Sequence, residues 1–122
     1  MGRLSCLEVA QVPEIGFPVE VVEGVPVVTA PEEIDLTNAA GLRAAVSEAV
    51  GSGSALVIVD MSGTRFCDST GLNALVATDR RARAEGVEMR LVIVAEAILR
   101  VVALTGVDRV IAIYASLEEA LA

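Results

Sequence analysis

The sequence predicts a single α/β domain built on a mixed β-sheet. Short runs rich in Val and Ile alternate with longer segments whose apolar residues recur at helical spacing. The run "ALVIVD" at 55–60 is almost unbroken in its apolar character, the pattern of a strand buried on both faces. Two valine runs flank Glu23-Gly24, a hairpin signal that adds an antiparallel element to an otherwise parallel core. A chain of 122 residues, 54% hydrophobic, suffices for one domain with a real core.

The elements follow in order. Residues 1–18 show no clear period and contain Pro13 and Pro18, so they read as a tail or an edge extension, with the domain proper at 19–122. "VEVVEGVPVVTA" is the hairpin, and Pro26 suggests that its second strand lies at an edge. In "DLTNAAGLRAAVSEAV", Ala39, Leu42, Val46, Ala49 and Val50 share one helical face, with Asp35 or Thr37 as cap and Gly51 and Gly53 as stop. "GSGS" at 51–54 is a loop before the buried strand.

A second helix starts near Ser69, with Leu72, Leu75 and Val76 inward, Arg80, Arg81 and Arg83 on a solvated face, and Gly86 at its end. "VEMRLVIVA" is the next strand, and the 56–94 unit is expected to be a right-handed parallel crossover. A short helix "EAILRVVALTG", a last strand "VIAIY" and a helix "SLEEALA" with Ser116 and Glu119 as capping box complete the chain.

Composition narrows the function. The net charge of −8 opposes binding to a phosphate backbone, and aromatics at 2% give no stacking platform, so no nucleic-acid partner is expected. There is no His and no Lys, which removes Ser-His triads, His-ligated metal, Schiff-base lysines and a Walker-type Lys. Cys6 and Cys67 are too few for a zinc site or a disulfide framework. No metal, no cofactor and no catalytic residue is expected. The most apolar stretch is broken by Glu96 and Arg100 and falls short of a span, and no targeting signal is visible. A cytoplasmic protein with no membrane partner is the expectation.

One stretch stands out: "FCDSTGL" at 66–72, at the junction between the buried strand and the second helix. Asp68 suits the N-cap position, which leaves Ser69 and Thr70 in the first turn with Ser69 toward solvent. Three readings fit. Asp-Ser-Thr is ordinary helix-start chemistry. A hydrolase elbow needs Gly-x-Ser-x-Gly, but Cys67 replaces its first Gly and no His is present. A phosphoacceptor Ser69 would gain roughly −1.5 to −2 charges next to a helix N-terminus that tolerates an anion, giving a switch without a change of fold. Cys67 beside it reads as a packing residue, and Thr70 as a side chain that packs or bonds back to the turn.

"LVIVDMSGTRFCDSTGLNALV" resembles the signature of STAS domains, specifically anti-sigma factor antagonists, and "EEIDLTNAAGLRAAV" resembles their Gly-Glu-Ile/Leu-Asp turn leading into the first helix. Gly86, the following strand and helix, and "LTGVDRVI" agree, so the resemblance covers about residues 19–122. It departs at Glu32, where the family usually has Gly. The resemblance implies a bacterial stress-response partner switch in transcription regulation. The unphosphorylated antagonist binds an anti-sigma factor that is also a serine kinase; phosphorylation of Ser69 breaks the complex, and a serine phosphatase resets it. ATP binds the kinase. Asp35 would lie beside the phosphoacceptor, and Asp35, Asp68, Thr70, Gly71 and Asn73 would form the partner-binding face of a monomer or weak dimer. The alternative is a STAS module that binds a small ligand or a transport-system partner without phosphorylation.

Overall fold

The computed structural model describes residues 17–122. The greater part of the proposed tail, with Cys6 and Pro13, lies outside the described residues. In chain order the elements are β1 (Val19–Val22), β2 (Val25–Thr29), β3 (Glu33–Ile34), α1 (Ala39–Val50), β4 (Leu56–Met61), β5 (Phe66–Cys67), α2 (Ser69–Ala84), β6 (Glu88–Ile93), α3 (Glu96–Thr105), a 3-10 turn (Val107–Arg109), β7 (Ala112–Tyr114) and α4 (Leu117–Leu121).

The main sheet runs β1-β2-β4-β6-β7. β1 and β2 are antiparallel, and the remaining pairings are parallel. Glu23 and Gly24 both take positive φ, 53° and 82°, as a tight two-residue hairpin turn requires. The mixed sheet expected from the sequence is therefore present.

Pro26 is not at an edge, because β2 lies between β1 and β4. The Thr29 N–H donates to the Pro18 carbonyl at 2.9 Å. Alternation of bonded pairs then makes Val21↔Pro26 a pair without hydrogen bonds, so the missing N–H faces away from β1. Pairing with β4 begins only at Val27↔Ile58, and no ladder bond is lost.

Val57, Ile58 and Val59 of β4 are all fully buried, as expected of a strand covered on both faces. One face is large. Val57, Val59, Met61, Met89, Leu91 and Ile93 meet Leu42 and Val46 of α1, Leu72 and Leu75 of α2, and Ile98 and Val102 of α3. The other face is small, where Val27, Ile58 and Val92 are covered by Ala120 with Leu117 of α4. Arg90 ties α4 down by donating to the Ala120 carbonyl at 2.6 Å, with its guanidinium 5.5 Å from the Tyr114 ring centre. Ser116 caps that helix by accepting from the Glu119 N–H at 3.1 Å.

Two boundaries differ from expectation. The last strand is only Ala112–Tyr114, because Val110 and Ile111 close the 3-10 turn with N–H groups bonded to the Val107 carbonyl. α1 begins at Ala39 with Asn38 at the N-cap, so neither Asp35 nor Thr37 caps it.

Candidate functional site

The site is positioned by a feature with no signature in the sequence. Glu33–Ile34 (β3) and Phe66–Cys67 (β5) form a separate two-stranded parallel ladder, paired Glu33↔Phe66 and Ile34↔Cys67. Its rungs continue outward at both ends. The Arg65 and Phe66 N–H groups share the Glu32 carbonyl at 2.7 and 3.3 Å, and the Asp68 N–H donates to the Ile34 carbonyl at 3.1 Å. Before it, Thr64 is buried to 1% exposure and its hydroxyl donates to the Pro31 carbonyl at 2.7 Å. Residues 31–34 are thus held rung by rung against 64–68.

That register decides where the acids stand. Asp35 follows Ile34 and Asp68 follows Cys67, so the paired Ile34↔Cys67 rung brings both aspartates to the same end of the ladder. Two loops distant in sequence thereby present carboxylates at one end of the molecule. Glu32 carries its side chain without strain: Glu23 is the one non-glycine with positive φ among the described residues, so this turn does not require glycine.

Asp68 is extended (φ −87°, ψ −176°), and its carboxylate accepts from the Gly71 N–H at 3.0 Å, an N-cap bond as expected. Ser69 is then the first helical residue and is exposed, and its hydroxyl makes no hydrogen bond among the described residues. Thr70 is half-buried and Asn73 is exposed one turn on. Gly71 is buried, which gives it a packing role: a Cβ there would lie 2.6 Å from Ile34 Cγ2 and 2.7 Å from Cys67 Sγ. Only a glycine lets α2 start this close to the ladder.

Asp35 is organised by its own turn. Its carboxylate accepts from the Thr37 N–H at 2.9 Å and from the Thr37 hydroxyl at 2.6 Å, an Asx turn rather than a helix cap. Asn38 secures the same turn, accepting from the Asp35 N–H at 2.9 Å and donating to the Glu33 carbonyl at 2.8 Å. The Thr37 hydroxyl, followed by its N–H, holds the Asp35 carboxyl below the usual value. The group is therefore ionised and aimed while it stays open to solvent.

Cys67 is buried to 9% exposure, and burial, reinforced by the Asp68 charge, pushes its thiol up to about 11. A thiol that stays protonated is a poor nucleophile, in keeping with a packing residue. Among the described residues, no cluster of three or more His, Cys, Asp or Glu side chains is arranged to hold a metal ion, and no helix is long and apolar enough to cross a membrane.

Two of the grooves among the described residues lie at opposite ends of α2. One, of about 250 Å³, runs between the starts of α1 and α2 and is lined by Ala39, Ala40, Arg43, Thr70, Asn73 and Ala74. A larger one, of about 620 Å³, is lined by residues at the far end of α2, Asp79 and Arg83 among them, and by Glu88 and Arg109. The 16 residues of α2 separate that end from Ser69 by about 24 Å. There Arg83 is exposed as expected, and its guanidinium also makes two contacts. It pairs at 2.9 Å with Asp79, itself buried to 1% exposure, and donates to the Val110 carbonyl. Arg80 and Arg81 are exposed as expected.

Comparison with known proteins bears on the family and the fold. The STAS domain family matches residues 17–120. The anti-sigma-F factor antagonist RsfB of Mycobacterium tuberculosis is 32% identical over 98 residues, 80% of each chain. The crystal structure of an anti-sigma factor antagonist from Mycobacterium paratuberculosis superposes with a TM-score of 0.78 at 32% identity, covering 86% of this chain and 89% of that one. The Bacillus cell fate determinant SpoIIAA in its phosphorylated form shares the fold, with a TM-score of 0.66 at 23% identity over 87% of this chain and 96% of that one.

Proposed function

The chain belongs to the STAS domain family, among its anti-sigma factor antagonists, and from that premise we propose that it is a phosphorylation-controlled partner switch. Unphosphorylated, it binds an anti-sigma factor that is also a serine kinase, and the sigma factor is freed. The kinase transfers the γ-phosphoryl group of ATP to the Ser69 oxygen, releasing ADP and the hydroxyl proton, and the complex separates. A serine phosphatase hydrolyses the ester and restores the hydroxyl. The chain itself is a binding protein, not an enzyme.

The observation that carries this reading is the placing of Ser69. It is the first residue of α2, exposed and unbonded, beside the cap Asp68 and next to the strand end that presents Asp35. A first-turn anion is tolerated by the helix dipole, so modification leaves the fold in place. The Bacillus cell fate determinant SpoIIAA keeps this same fold in its phosphorylated form, which supports a modification that leaves the fold in place. A partner surface fitted to a neutral hydroxyl then meets nearly two negative charges without a counter-charge, which costs on the order of 2–5 kcal/mol. Asp35 is proposed to face a basic group of the partner, while Thr70 and Asn73 border the contact. Gly71 serves it indirectly by seating α2 on the ladder.

The test is incubation with the partner kinase and ATP, followed by peptide mass spectrometry. Phosphate is expected on Ser69. Phosphate on Thr70 alone would overturn the assignment, and binding that ignores Ser69→Glu would favour a STAS module that works without phosphorylation.

A further inference from the structure

The groove between α1 and α2 opens beside the proposed switch; Thr70 and Asn73 on its rim border the proposed contact, but Arg43 and the space itself have no role so far. Three of its six lining residues are small, Ala39, Ala40 and Ala74, which leaves a space of about 250 Å³. The other three are polar: Thr70, Asn73 and Arg43. All three can donate hydrogen bonds, and none makes a side-chain hydrogen bond among the described residues. The four ion pairs among the described residues engage Arg65, Arg81, Arg83 and Arg90, which leaves the Arg43 guanidinium without a carboxylate.

Position adds to this. Thr70 directly follows Ser69 in the first turn of α2, so the groove is continuous with the proposed contact face. On a chain of net charge −8, a lone Arg between a hydroxyl and a carboxamide is an island of donors next to the acids Asp35 and Asp68. A pocket lined with donors and one cation fits an acceptor that carries a negative charge.

Resting on the partner-switch reading, we infer that this groove receives an acidic side chain of the anti-sigma factor, with Arg43 as its counter-charge. The interface then alternates in sign. Asp35 meets a basic group of the partner, and one groove away Arg43 meets a carboxylate. Two opposite pairs fix register and exclude partners with either charge misplaced. The groove thus serves as a specificity element for the kinase.

The test uses the full chain and its cognate anti-sigma kinase in calorimetric titration. Arg43 is exposed, so its variants are expected to keep the wild-type melting temperature. Arg43→Ala should weaken binding by about 10-fold and Arg43→Glu by about 100-fold or more, the range of a partly buried charge pair lost or reversed. Ala40→Leu, which fills the groove from an exposed helical position at little cost in helix propensity, should weaken binding as well. An acidic-to-Arg substitution on the kinase that restores binding to Arg43→Glu would identify the partner group.

If wild type binds and Arg43→Glu binds equally well, the groove assignment falls while the partner switch stands. If wild type fails to bind any serine-kinase anti-sigma factor, both fall. If Arg43 variants change only the phosphorylated protein, Arg43 clamps the phosphate within its own chain, and the intermolecular assignment is overturned.

Discussion

Gly71 and Ile34 touch so closely that a single methyl group does not fit between them, since a Cβ on Gly71 would stand 2.6 Å from Ile34 Cγ2. Ala is favoured over Gly inside a helix by up to about 1 kcal/mol, but overpacking of this kind costs about 1–3 kcal/mol. The clash should win, because Cys67 Sγ closes the other side at 2.7 Å. Gly71→Ala is therefore expected to destabilise in urea titration and to weaken partner binding by displacing the strand that leads to Asp35. Ile34→Ala alone should cost about 2–5 kcal/mol as a cavity. The double variant should lose less than the sum, since the cavity accepts the new methyl group.

This contact also marks where sequence reasoning runs out. The Asp68 cap and the exposure of Ser69 were legible because both follow from positions within one helical turn. The buried strand Leu56–Met61 was legible because an apolar run has few other uses. The β3–β5 ladder was not, since two-residue strands have no period and are specified by long-range bonds such as Thr64 to Pro31. Asp35, Thr37 and Asn38 are all eligible helix caps, but Asp35 and Thr37 bond to each other and Asn38 reaches back to the Glu33 carbonyl, so α1 starts at Ala39 with no side-chain cap bond. Gly71 reads locally as part of a motif, and its reason lies in a residue 37 positions earlier. Arg83 is at the surface as read, but its pairing with Asp79 was not legible, because Asp79 is buried by tertiary packing.

Asp68 combines a cap with a charge, and two substitutions separate them. Asp68→Ala removes the acceptor for the Gly71 N–H and should lower stability by about 0.5–2 kcal/mol. Asp68→Asn keeps an acceptor oxygen, so its thermal melt should stay close to wild type. If the charge contributes to partner binding, affinity should still fall in Asp68→Asn. Equal affinity would assign Asp68 a purely structural role.

The Asp35 turn predicts a pH effect of definite sign. The folded carboxyl lies below its unfolded value, so its stabilising contribution is present above the unfolded pKa and is lost as pH falls through the folded one. Thr37→Ala removes the hydroxyl bond that leads this shift. In a carbon-detected NMR titration the Asp35 carboxyl should then titrate at higher pH than in wild type, and an unchanged midpoint would show that the hydroxyl bond is not the cause.

Cys67 carries the opposite sign. Burial raises its thiol from the ordinary value of 9.0 to about 11, so its contribution is complete below about pH 9 and is lost as pH rises toward 11. At pH 8 the folded protein should resist alkylation at Cys67 while the urea-unfolded protein reacts, as followed by peptide mass spectrometry. Rapid alkylation of the folded form would mean that the thiol is exposed and ionised.

Ser69 gives the sharpest test, because stability and binding should move apart. Its side chain is exposed and makes no hydrogen bond among the described residues, so Ser69→Ala should change stability by no more than about 0.5 kcal/mol. Ser69→Glu places a carboxylate in the first turn of α2, where the helix dipole favours it by about 0.3–1 kcal/mol, so this variant should melt at or above the wild-type temperature. Binding should go the other way. Ser69→Ala should hold the anti-sigma kinase persistently and resist release by ATP, while Ser69→Glu should bind poorly because its charge lacks a partner at the centre of the contact. Glu carries one charge where a phosphoryl group carries nearly two, so partial loss is the expected result. A Ser69→Glu protein that is destabilised would place the switch in the fold rather than the interface, and one that is stable and binds like wild type would remove Ser69 from the switch altogether.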